Sequence, residues 1–176
     1  MSARVRLYYP ADGFGELICW RLESAYSHAT IEFDGKIFSA TVPRVVAVGL
    51  SDPDFGMPPR KGCCFEIRLT EEEAARALTY CQNMVGMGYD ILAIAGWAFR
   101  IQSMQRLKQP YCFELVYDAL AVAGVFSTSK RLVTGDQLLV DLYATGRVMN
   151  AASNRSQLPE YAQRQKPPVI IPVPPL

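Results

Sequence analysis

The stretch SHATIEFDGKIFSAT constrains this chain more than any other. Asp34 and Gly35 separate two β-rich runs, and an Asp-Gly pair in that setting favours a two-residue type I′ turn. A turn that short fixes the register: Phe33 pairs with Lys36, Thr30 with Ser39 and His28 with Thr41. Alternation then puts His28, Thr30 and Glu32 on one face of the strand, and Ala29, Ile31 and Phe33 on the other, expected to face the core. His28, the only histidine of the 176 residues, therefore falls on the polar face. Ser39 and Thr41 are the hydroxyls within reach of its imidazole.

The other elements are read from the same kind of signal. Val5–Tyr9 is β-rich and ends at Pro10. Glu16–Leu22 fits either a short helix or an extended segment. LSDPDFGMPPRKG (50–62) is a loop on its prolines and glycines, either a lid or a plain surface loop. CCFEIRL (63–69) reads as a strand. Thr70 and Glu73 form a T-x-x-E capping box opening a helix over Glu71–Val85, and Thr134 with Gln137 opens another, ended by Gly146. An apolar helix is expected near Ile91–Ser103, and a further one from Cys112 to Gly124. Strands first and helices after predict an α+β domain.

Residues 1–150 are expected to form that domain and 151–176 a tail. The tail holds six of the twelve prolines and ends KPPVIIPVPPL, a composition that favours extended polyproline segments. It is either a docking element for a protein partner or an arm lying on its own domain.

Composition narrows the function. A net charge of +1 offers no basic stripe for nucleic acid. The longest apolar run, ILAIAGWAF, is too short to span a bilayer, so no integral membrane segment is expected. The start MSARVRLYYP reads as a strand rather than a secretory signal. The five cysteines are odd in number and have no framework or C-x-x-C spacing, so neither disulfides nor a metal is expected, and no cofactor. The expected location is the cytoplasm; a cell-wall enzyme of this kind would need lysis, a phage particle or a secretion route to reach its target.

In QPYCFELVYDAL, Cys112 stands just behind Pro110 at the head of a helix-like apolar run. A helix N-terminus and an adjacent imidazolium both lower a thiol pKa, and the first-turn N–H groups can stabilise an oxyanion. Cys112 as nucleophile, His28 as base and Ser39 or Thr41 as the group orienting the imidazole make a chemically complete set. Glu114 in the same turn would oppose thiolate formation if it lay near the sulfur. The competing role is packing, since free cysteine is among the most buried residue types; Cys19, Cys63, Cys64 and Cys81 are read as core. A redox thiol would need a resolving partner, with Cys81 or Cys19 as the candidates.

YSHATIEFDGKIFSA resembles the histidine hairpin of papain-like hydrolases of the NlpC type. GMGYD, YCFELVYDAL and VTGDQLLVDL resemble, in order, segments of their circularly permuted YiiX-like branch, in which the histidine precedes the cysteine. The similarity spans roughly residues 4–145. It implies a permuted papain-like fold, an antiparallel sheet packed against helices, and a thiol hydrolase or acyltransferase acting on amide or ester bonds. By position it implies Cys112 as nucleophile, His28 as base and Ser39 as third residue, with Tyr89 and Tyr111 on the substrate or oxyanion side and Thr41 and Asp90 in support. Asp90 equally fits a cap for the helix expected at Ile91. Two positions depart from the family pattern: Ser39 replaces a stronger orienter, and Phe113 replaces a common serine. The implied substrates are cell-wall peptides first and acylated lipids second; the exposed apolar share of the helix expected at 91–103 discriminates, a greasy rim about the site favouring the latter. The alternative is a papain-like module that binds without turnover.

Overall fold

A computed structural model describes residues 2–49, 61–90, 109–128 and 132–153. The helix expected at 91–103, most of the 50–62 loop and the tail beyond 153 lie outside the described residues. The chain is α+β, as expected. Six strands form one antiparallel sheet: β1 (Ser2–Tyr8), β2 (His28–Phe33), β3 (Lys36–Ala40), β4 (Val45–Gly49), β5 (Gly62–Arg68) and β6 (Val148–Ser153). Their spatial order is β4-β3-β2-β1-β5-β6. Four helices accompany them: α1 (Gly13–Leu22), α2 (Glu71–Met84), α3 (Cys112–Ala123) and α4 (Gly135–Ala144).

The hairpin closes as its turn residues require. Asp34 and Gly35 have φ of 47° and 79°, both positive, and Phe33 pairs with Lys36. The undecided segment 16–22 is helical: Asp12 caps α1 by accepting the Gly15 N–H at 2.7 Å. Thr70 and Glu73 complete both halves of their capping box. At α4 only half of the expected box is described, Thr134 accepting the Gln137 N–H, because the Gln137 side chain donates instead to Asp141 at 2.9 Å. Two strands were not expected. VVAVG (β4) has no strong turn beside it, and β6 pairs with β5 to Ser153, past residue 150.

One face of the sheet carries the apolar core. Val5, Leu7, Ala29, Ile31, Phe38, Phe65 and Ile67 pack there with α2 and α3. α3 is buried nearly all round, from Cys112 to Tyr117 without a break, so it is the central helix of the domain. The opposite face departs from expectation. It is mixed and also buried: Ile37, Val46 and Val48 form a small apolar cluster on β3 and β4, and on the same face Thr30 and Ser39 are at 0% exposure, Glu32 at 2% and His28 at 9%. Its polar groups satisfy one another: Arg6 and Arg4 both pair with Glu32, and the Tyr8 hydroxyl bonds Thr30 Oγ1 at 3.1 Å. Cys64, on β5, pairs directly with Arg6 of β1 on this face, half-buried rather than in the core.

Two stability predictions follow from these pairs. Glu32→Ala leaves Arg6 facing a buried site without its carboxylate, so urea unfolding should show a loss of about 3 kcal/mol. Glu73 accepts from Arg147 at 2.7 Å, and chiefly that bond, with the Thr70 N–H, holds its carboxyl below the usual range. A lowered folded value stabilises above the unfolded carboxylate pKa of about 4.3 and is lost as pH falls through the folded value. Glu73→Gln should therefore cost about 0.5 kcal/mol at neutral pH, with the gap to wild type closing in unfolding curves taken in acid.

Candidate active site

The parity of the hairpin shapes the site. The closing pair of a two-residue hairpin exchanges hydrogen bonds, so Phe33, Ile31 and Ala29 all direct their N–H groups toward β3. The β2–β3 pairing runs from Phe33–Lys36 to Ile31–Phe38. One step beyond, the Ala29 N–H is given to the Cys112 thiol instead. The head of α3 thus reaches the seam between β2 and β3.

The start of α3 suits that position. Its N-cap residue, Tyr111, makes no side-chain cap. First-turn amides, which have no helical partner, are left for another acceptor, and the Cys112 and Phe113 N–H groups are directed at the Cys112 sulfur. A fourth donor is the Tyr89 hydroxyl. Tyr89 is held by strand-like pairing of its segment with the entry to β4: Val45 N–H to Met87 O and Gly86 N–H to Val45 O, with the Tyr89 N–H on Pro43 O, each at 2.8–2.9 Å. The unexpected strand β4 therefore positions a site residue.

Burial and hydrogen bonding pull the thiol in opposite directions. Burial dominates and pushes Cys112 up to about 11, while the donors from Ala29, Phe113, Tyr89 and Cys112 itself favour the thiolate. Burial, and then the Cys112 sulfur, raise the Tyr89 phenol well above its ordinary range, so it remains a donor. Glu114, two residues on, acts on Tyr80 instead, adding to burial and Asp118 in raising that phenol. Cys19 and Cys81 are buried thiols pushed up to about 12, and all five cysteines are free.

Across the same seam, His28 Nε2 and Ser39 Oγ are 2.9 Å apart. The ring also lies 5.8 Å from that of Tyr8, tilted by 34°. Ser39 is the expected hydroxyl; Thr41 lies just past the end of β3, its N–H on Arg44 O, and no bond from its side chain to the imidazole is described. The Tyr111 hydroxyl, expected at the substrate or oxyanion, donates its one proton to Val133 O at 2.9 Å. It straps the head of α3 to the segment before α4. Asp90 is fully buried beside Tyr89. Phe113 is buried against Tyr111 and at Gly135, where an added Cβ would meet the phenyl ring at 3.1 Å. The bare glycine lets α4 approach the site.

Cys112 opens onto a cleft of about 220 Å³. Among the described residues one wall is α1, with Phe14, Leu17, Ile18, Trp20 and Leu22, and the other is Tyr89, Tyr111 and Phe113. Residue patterning missed this wall because the side chains that build it, Phe14 and Trp20, are solvent-exposed rather than core. Its sequence signal was FGELICWRL, an apolar helix whose buried residues are only Gly15 and Cys19.

No protein-family model and no curated protein matches the chain. The fold is similar to the crystal structure of YiiX from Escherichia coli O157:H7, described as a metalloprotein of the DUF1105 group. That similarity has a TM-score of 0.50 at 12% identity and covers 87% of this chain and 88% of YiiX. It supports a YiiX-like architecture and leaves the wider NlpC kinship resting on the short sequence motifs.

Proposed function

We propose that the chain is a permuted papain-like cysteine hydrolase or acyltransferase with Cys112 as nucleophile and His28 as base. The observation that carries this reading is the Cys112 sulfur itself, which lines a cleft and has the Ala29 and Phe113 amides and the Tyr89 hydroxyl beside it as donors. A purely structural thiol has no need of them. The reading requires the imidazole, on the polar face of β2, and the thiol, beside the Ala29 amide, to meet at the end of the β2–β3 pairing beyond Ile31–Phe38. Ser39 orients the ring through Nε2, and the reading assigns the thiol proton to the other ring nitrogen.

The reaction runs in two halves. The thiol proton passes to His28 as sulfur bonds the carbonyl carbon of an amide or ester. The bond to the leaving nitrogen or oxygen then breaks, and that atom takes the proton from the imidazolium. Water, deprotonated by His28, next attacks the acyl-thioester, the carbon–sulfur bond breaks, and the thiol regains its proton. Tyr89 and the first-turn amides of α3 are the donors nearest the developing oxyanion. YiiX is described as a metalloprotein; among the described residues of this chain no group of three or more His, Cys, Asp or Glu is placed to hold a metal. A second reading, a module that binds without turnover, draws on the neutral Ser39 and on the upward push on Cys112.

Alkylation of Cys112 by iodoacetamide, followed against pH with peptide mapping, separates the two. The enzyme reading expects an apparent pKa below about 8.5, well under the value near 11 to which burial pushes the resting thiol, and a rise in His28→Ala. Titration near that upper value in both proteins would leave only the binding module. Tyr89→Phe removes one donor to the sulfur, so Cys112 alkylation at neutral pH should slow about tenfold, the worth of one hydrogen bond to a charged group.

A further inference from the structure

We propose that Tyr8 is a positioning residue for His28, its aromatic face stabilising the imidazolium that forms when the thiol proton arrives. This inference rests on the reading of His28 as the base. It begins from the register of β1 on β2, which pairs Tyr8 directly with His28. Direct partners in an antiparallel pair share a face, and here the ring centroids are 5.8 Å apart with the planes tilted by 34°. That is inside the roughly 6 Å over which an aromatic face attracts a cation. The phenol is held in place. Its hydroxyl is 3.1 Å from the Oγ1 of Thr30, the next residue of β2 on that face, and Tyr8 O accepts the Ser27 N–H at 2.9 Å. On the other flank Gly62 of β5 lies so close that an added Cβ would meet Leu7 O and, at 3.0 Å, Tyr8 Cα.

The charges around His28 show why the ring matters. Ser39, within hydrogen-bond reach of Nε2, is neutral. Glu32, on the same face of β2, is held by both Arg4 and Arg6, so that trio is net positive and opposes a further cation. Glu66, on β5 and two strands from β2, accepts from Asn150 at 2.8 Å. Asp90 acts on Tyr89, and the other titratable groups on this face and at the seam, Cys64 and Cys112, are thiols. Water is largely excluded, with His28 at 9% and Tyr8 at 6% exposure, and a cation–π contact strengthens as water leaves. An aromatic face favours the imidazolium without burying another anion.

His28 is the only histidine of the chain, so its ring protons give a single titration curve by NMR of the full-length protein. Tyr8→Phe, then mono-, di- and trifluorinated phenylalanine at the same position, keeps the ring while withdrawing electron density from its face step by step. His28 should titrate lower with each fluorine, by about one pH unit across the series, the size of a partly desolvated cation–π contact. Tyr8→Leu keeps the site covered but removes the face, and should lower His28 by a similar amount. A side chain that merely shields would act otherwise: fluorine would change nothing, and lost cover would admit water and raise a buried histidine. A flat fluorine series, or a rise in a folded Tyr8→Leu, overturns the inference. The fluorinated rings preserve shape, so they decide the question even where Tyr8→Leu does not fold. The histidine is read directly, which separates this result from the hydrolase reading. A falling series with Cys112 alkylation unmoved keeps the Tyr8 contact and sinks the hydrolase. A flat series beside a thiol that still responds to His28→Ala does the reverse.

Discussion

The Ala29 N–H points out of β2 toward β3 and finds the Cys112 sulfur where a strand carbonyl would otherwise be. The direction of that one amide is set by the turn. A two-residue Asp-Gly loop makes Phe33 a hydrogen-bonded residue, and counting back by twos makes Ala29 another. Local turn chemistry at residues 34 and 35 thereby fixes a contact with a residue far along the chain. Because α3 is buried along almost its whole length, its head cannot slide to find a substitute.

The other side of the seam follows a different physical logic. The polar face of β2 is buried, so every charge on it needs a partner. Glu32 has two, Arg4 and Arg6. A second buried carboxylate on this face, in place of Ser39 at 0% exposure, would require its own cation or remain protonated. A hydroxyl avoids that cost and still bonds Nε2. The cost falls on chemistry instead, because a neutral acceptor stabilises an imidazolium less than a carboxylate does. Stability of the sheet and strength of the base are in competition at this one position.

How much of this was legible in the sequence depended on how local each signal was. The hairpin, both helix-start motifs and the extent of α3 rest on neighbours within a few residues, and the structure has them. His28 and Ser39 could be brought together because one turn determines their separation. β4 and β6 could not be read, since VVAVG and VMNAAS gain their strand character only from edge pairing with β3 and β5. The burial of the polar face was invisible for a related reason: alternation tells which residues share a face, not whether that face is covered. The role of Tyr111 turned on Val133, a long-range acceptor that no spacing rule identifies. The apolar wall on α1 escaped because hydrophobic residues in a helix are read by default as core.

The apolar cleft and the raised thiol are one effect seen twice. The same exclusion of water that leaves this cleft lined by apolar side chains takes solvent from the Cys112 sulfur and pushes its pKa up. In the resting protein the donors from Ala29, Phe113, Cys112 and Tyr89 only partly offset this. Once sulfur bonds a carbonyl carbon, the negative charge moves to the carbonyl oxygen about one bond length further out. Donors already fixed around the sulfur can follow it with little rearrangement, in surroundings where each hydrogen bond is stronger than in water. On the proposed reading, a site that disfavours its own thiolate while holding donors ready for the displaced charge would stabilise the transition state more than the ground state, which is the condition for catalysis.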